Sequence, residues 1–284
     1  MLCFPSIQAQ ETEVLYLSGR GFDQTVRWDF YCSEGMNSQS WSTIEVPSCW
    51  EQQGYGEYNY GHVPFDKRLK EEGHYRCLFE VKKEWKGKHL ELVFEGVMTD
   101  ALVMVNGKQA GEVHQGAFYS FSHDISKLVK YGRENKLEVM VKKFSDNKSV
   151  NQAERKADYW IFGGIFRPVY LEVKPKNHID RVAVDARADG SFASEVYLAD
   201  SQSPGKVLVE ILDQQGKQVA SFEAPVEEEN QQVRIEGKVD SPLQWSPEYP
   251  KLYSAQFTLM DEGGSPIHRL VQRIGFRTVE VRDQ

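Results

Sequence analysis

The chain is 284 residues long, 40% hydrophobic and 12% aromatic, enough to bury a sizeable core in two domains without a metal or disulfide framework. Its 42 acidic residues outnumber 34 basic ones and leave a formal charge of −8, which argues against a nucleic-acid partner, because phosphate needs a basic face. The chain has no window near the roughly 18 apolar residues of a membrane-spanning helix, and Cys3, Cys32, Cys49 and Cys77 form no CxxC pair and have no histidine at zinc spacing.

The opening, Met1-Leu2-Cys3-Phe4-Pro5-Ser6-Ile7-Gln8-Ala9-Gln10, is apolar and ends in small and amide residues. It reads as the remnant of a secretory signal over residues 1–10 and favours export to a periplasmic or extracellular compartment, although it lacks a basic start and a full apolar run. The next informative tract is Val46-Pro47-Ser48-Cys49-Trp50-Glu51-Gln52-Gln53-Gly54-Tyr55-Gly56, continued by Tyr58, Asn59 and Tyr60. This is an irregular aromatic loop of the kind that carries binding residues on a rigid scaffold. Cys49 there reads as a small buried hydrophobe, a disulfide partner of Cys32, or a pocket-lining residue.

Period-two alternation then dominates, and no long stretch keeps helical spacing, so the chain is expected to be all-β. Leu90, Leu92 and Phe94 alternate with polar neighbours, and the runs 101–105 and 108–113 flank Asn106-Gly107, a strong hairpin signal. Residues 125–130 form the one short helix expected. Asn147-Lys148-Ser149 is a formal glycosylation sequon. Strands follow at 137–141 and 169–173.

Between those last two strands lies Asp158-Tyr159-Trp160-Ile161-Phe162-Gly163-Gly164-Ile165-Phe166-Arg167. One carboxylate followed by aromatics and a glycine pair suits a sugar, whose hydroxyls want a charged acceptor and whose C–H faces want a flat ring. The structural alternative pairs Asp158 with Arg155 or Arg167 and leaves the aromatics as core.

Beyond Lys174-Pro175-Lys176-Asn177 the aromatics thin and turns become regular, which divides the chain into domains over residues 11–176 and 177–284. Val207, Val209 and Ile211, the run 233–239, and a Gly263-Gly264 turn before 267–274 describe an immunoglobulin-like sandwich. Leu243-Gln244-Trp245-Ser246-Pro247 and the tract through Tyr253 read as structural. The seven histidines lack metal-ligand spacing, and Glu71-Glu72, adjacent in a strand, face opposite sides.

The three tracts together, with Gly275-Phe276-Arg277, resemble the front end of glycoside hydrolase family 2, most like its β-galactosidase branch. The resemblance covers nearly the whole chain after Gln10 and implies a jelly-roll sugar-binding sandwich followed by the immunoglobulin-like one, ahead of a catalytic TIM barrel. It places on Asp158 the family's first-domain aspartate, which contacts the terminal sugar or a nearby alkali-metal ion. It implies that Trp160, Trp50 and Tyr55 shape the pocket rim and that Cys49 lines it, where the β-galactosidase pattern has an amide. That departure weakens the implication of galactose specificity.

The implied partners are a carbohydrate, the barrel and, as often in this family, further copies of the chain. Retaining hydrolysis needs two carboxylates about 5–5.5 Å apart, and the family draws both from barrel strands. These 284 residues alone are therefore expected not to hydrolyse a glycoside. The alternatives are a free-standing carbohydrate-binding module and a structural protein whose aromatics only pack.

Overall fold

The structure, a computed structural model, describes residues 9–64, 67–68, 70–199, 205–227 and 231–281. Cys3 and most of the expected signal remnant lie outside the described residues. Two compact units are present, one of residues 13–173 and one that joins the chain's start to the residues from Lys174 onward.

In the unit of residues 13–173, the larger sheet runs in the order Lys108–Gln109, Asp100–Val105, Arg133–Lys142, Glu72–Val81, Val26–Cys32, Trp41–Val46, with His114–Gln115 added beside Asp100–Val105. A second sheet runs Phe121–Asp124, His89–Phe94, Val169–Lys174, Glu13–Tyr16. The alternation read in the sequence places one face of each sheet in a shared core: Trp28, Phe30, Tyr75, Leu137 and Val139 from one, and Leu90, Leu92, Phe94 and Leu171 from the other. Asn106 and Gly107 close their hairpin with φ of 52° and 79°, the positive pair that the mirror-image hairpin turn requires.

The helix expected at 125–130 does not form. Its buried Ile125 accepts the N–H groups of Leu128 and Val129 at 2.9 and 3.3 Å, and the chain leaves after this one turn. Asn106 Nδ2 holds the Leu128 carbonyl at 3.0 Å and so takes a group that a continuing helix would need. Among the described residues of this unit the α-helix is Lys148–Glu154 instead. Asn147 caps it, accepting the Ser149 N–H at 3.0 Å, so the apparent sequon is a helix start.

The other unit packs two sheets around Ile179, Val196, Val209, Phe257 and Phe276. One sheet is ordered Gln10–Glu11, Pro266–Ile274, Tyr253–Asp261, Gly205–Leu212, Gln218–Val226, and the other is His178–Ala186, Ser191–Ala199, Gln232–Lys238. Its first strand comes from the chain's start: Gln10 and Glu11 pair in parallel with His268 and Arg269.

Candidate functional site

Backbone pairing brings the two main tracts of the first unit together. Ser48 N–H donates to the Ile165 carbonyl at 2.8 Å and Trp50 N–H to the Gly163 carbonyl at 3.1 Å. Trp160 and Ile161 pair with Tyr60 and Asn59, which brings the aromatic loop alongside. Both glycines are needed for this approach. A Cβ on Gly163 would sit 2.2 Å from the Trp50 ring, and Gly164, at a φ of 126°, would meet the Ser48 carbonyl at 2.7 Å.

Trp50, expected on a pocket rim, is fully buried. Its indole fills the slot left by Gly163 and Gly73 and tilts against Phe30, with centroids 6.1 Å apart. Tyr55 is also framework rather than rim: half-buried, it stands edge-on to Phe30 at 4.9 Å, and its hydroxyl meets Ser42 Oγ at 2.8 Å. Cys49 is half-buried and carries a free thiol, as does Cys32, so the disulfide alternative is not formed. Burial, helped by the Glu51 carboxylate, pushes the Cys49 thiol up to about 12, leaving a neutral SH group.

Asp158 and Trp160 share an exposed edge. Neither arginine takes the acid. Arg155 is buried and donates to Thr99 Oγ1 at 2.6 Å and to the Phe162 carbonyl at 3.2 Å. Arg167 lies over the Phe166 ring, 5.0 Å from its centroid, and reaches the Glu95 and Phe118 carbonyls.

Asp158 instead accepts a hydrogen bond from the Tyr60 hydroxyl, with His62 Nε2 3.8 Å away, and its side chain stays 80% exposed. That bond holds the Tyr60 hydroxyl above the usual phenol range. Trp160 is 53% exposed, flanked edge-on by Tyr60 at 5.3 Å and Tyr58 at 6.1 Å. The edge thus offers one carboxylate with free lone pairs beside aromatic surface, the two features that a pyranose uses.

Beneath these tracts lies a cluster that sequence reasoning missed. Lys143 Nζ sits 2.7 Å from Glu51 Oε1 and 2.7 Å from Glu71 Oε2, with all three side chains fully buried. The ammonium also donates to the Glu57 carbonyl at 2.5 Å, and the Glu51 carboxylate accepts the Gly163 N–H at 3.0 Å. Burial pushes both carboxyls upward against the pull of Lys143. A signal for the cluster was available, because Lys143 continues the inward register of Leu137, Val139 and Val141, and Glu71 that of Gly73 and Tyr75. A charge in a buried register needs a charged partner.

Residues 24–175 match the family model described as the sugar binding domain of glycosyl hydrolases family 2, and residues 177–277 match the model for glycosyl hydrolases family 2 that follows it. The chain belongs to glycosyl hydrolase family 2. A β-galactosidase of Thermoanaerobacter pseudethanolicus is 34% identical over 215 residues, which is 74% of this chain and 28% of that protein. A putative β-glucuronidase of Formosa agariphila is 28% identical over 253 residues, 87% of this chain and 29% of that protein. Among solved structures, a putative β-galactosidase from Bacteroides fragilis superposes with a TM-score of 0.72 at 25% identity, over 95% of this chain and 42% of that one. This family 2 chain therefore spans under a third of the length of these two curated relatives and carries the N-terminal portion.

Proposed function

We propose that this family 2 chain supplies a sugar-facing wall for the hydrolysis of an O-glycosidic bond, with Asp158 accepting hydrogen bonds from hydroxyls of the terminal sugar and Trp160 providing the ring beside it. The observation that carries the reading is the state of Asp158. It is exposed, bound by neither Arg155 nor Arg167, and oriented by the Tyr60 hydroxyl next to Trp160. A β-galactoside is the first substrate to try, supported by the relatives named β-galactosidase.

The chemistry itself needs two carboxylates flanking the scissile bond. Glu51 and Glu71 lie close together across Lys143, but all three side chains are sealed from solvent, so no sugar reaches them. The catalytic pair is assigned to the barrel that this family carries beyond its two sandwiches.

For an alkali-metal ion near the sugar, Asp158 would supply one oxygen. Among the described residues no group of three or more His, Cys, Asp and Glu side chains is placed to hold a metal, and carbonyls, hydroxyls or water would complete its coordination.

The test is hydrolysis of chromogenic β-galactoside and β-glucuronide by the gene product as the cell makes it, with and without Asp158→Asn. Losing one charged acceptor is worth about 1.5–3 kcal/mol, so kcat/KM is expected to fall roughly 10- to 100-fold with the unfolding midpoint unmoved. An unchanged kcat/KM on every glycoside that is turned over would contradict the reading.

A further inference from the structure

The Lys143 cluster joins the segments that build the exposed edge. An ammonium has three donors and no acceptor. Here Nζ donates to the carbonyl of Glu57, just before Tyr58 in the aromatic loop, and lies at ion-pair distance, 2.7 Å, from both the Glu51 and the Glu71 carboxyl groups. Glu51 passes the constraint on. Its carboxylate accepts the Gly163 N–H, in the middle of the Asp158 tract, and its carbonyl accepts the Tyr58 hydroxyl at 3.0 Å. The fixed end is the central sheet, where Lys143 N–H donates to the Glu71 carbonyl at 3.2 Å beside the ladder of Glu72–Val81 with Arg133–Lys142.

Stability alone does not account for such a cluster. Taking an ammonium and two carboxyl groups out of water is expensive, and well-packed apolar residues of similar volume often serve a core as well or better. What the cluster adds is direction, since its side-chain hydrogen bonds outside the triad end on the loop and the tract that present Tyr58, Tyr60, Asp158 and Trp160.

We propose that Lys143, clamped between Glu51 and Glu71, is the positioning residue of the Asp158 edge, setting the aromatic loop and the Asp158 tract in the register in which they meet a sugar. The inference rests on the reading of Asp158 as the sugar-contacting residue. It adds three buried residues that touch no ligand and act through those that do, as supporting residues do beneath a binding surface.

The test compares Lys143→Met with the native sequence by hydrogen–deuterium exchange on the 284-residue chain and by steady-state kinetics on the gene product as the cell makes it. Where Lys143→Met fails to fold, the triple variant Lys143→Met, Glu51→Gln, Glu71→Gln replaces it, because it leaves no unpaired buried charge.

The expected result is local. Amides of residues 58–62 and 159–163 exchange about 10-fold faster or more while those of His89–Phe94 and Asp100–Val105 stay within about two-fold, and KM rises about 10-fold with kcat changed far less. Loss of protection spread evenly over the unit, or no change in the two segments, would overturn the positioning role. If the two segments loosen and KM holds, positioning the edge for a sugar is likewise overturned. The Asp158→Asn measurement separates the two ideas, since it reports on Asp158 whatever Lys143 does.

Discussion

At Asp158 a carboxylate is oriented by a phenol rather than neutralised by a guanidinium, and that difference decides what it offers a ligand. A guanidinium would have occupied it bidentately, whereas the Tyr60 hydroxyl leaves most of it open to solvent. Tyr60→Phe removes one neutral donor and should weaken glycoside binding by about 1 kcal/mol, roughly five-fold in KM, less than Asp158→Asn does. Cys49 should behave as an inert thiol. With its thiol pushed up to about 12, its alkylation by iodoacetamide at neutral pH should run far below the rate of a free cysteine, whose thiol sits near 8.5. Rapid modification of Cys49 in the folded chain, read by peptide mass, would contradict that environment.

Asp158 and Trp160 were legible as a pair because an acid beside aromatics has a chemistry of its own. Trp50 and Tyr55 carry the same ring chemistry, and only the slot beneath Gly163 and Gly73 and the contact with Phe30 decide that they are framework.

The elements around the edge are held by close packing of backbone on ring. Gly163→Ala would drive a methyl into the buried Trp50 indole, which nothing flexible relieves. Overpacking of this kind costs about 1–3 kcal/mol, so the unfolding free energy from urea titration should fall by that amount, while Gly107→Ala meets no atom within 4 Å and suffers only from its φ of 79°.

Helix Lys148–Glu154 depends on its cap in the same local way. Asn147→Ala should cost about 1 kcal/mol of stability in the same assay, and a cost of zero would show that tertiary contacts alone hold the helix. The strands were legible because alternation recurs over enough residues to show, as in His89–Phe94 and Arg133–Lys142. A seven-residue helix shows less than two turns of its own period, so its signal was the cap, Asn-Lys-Ser, which has a second meaning.

Across the whole molecule each unit has its own core, and each should report its own chemistry. In the unit that joins the chain's start to the residues from Lys174 onward, His268 is buried, with Nδ1 accepting the Ile179 N–H at 3.1 Å and Nε2 3.1 Å from Thr12 Oγ1. Desolvation, with His178 and Lys174 nearby, pushes it down to about 4. An unfolded histidine titrates near 6.5, so the unfolded chain binds the extra proton first. The stability tied to a neutral His268 is therefore complete above about pH 6.5 and is lost as pH falls toward 4, by roughly 3 kcal/mol in all. Urea midpoints of the Ile179 and Phe257 amide signals should fall over that window, and a flat profile would contradict the burial of His268.

Both sandwiches were legible from strand periodicity and turn chemistry. The parallel pairing of Gln10 and Glu11 with His268 and Arg269 was not, because a two-residue edge strand has no period to read.

The central claim is that Asp158 meets the sugar, and a crystal structure of the gene product with a bound β-galactoside or substrate-like inhibitor tests it most directly. The expected result is a sugar hydroxyl about 2.5–2.9 Å from an Asp158 carboxylate oxygen, with the sugar beside Trp160. A sugar bound in the catalytic cleft with Asp158 well beyond hydrogen-bond reach would contradict it.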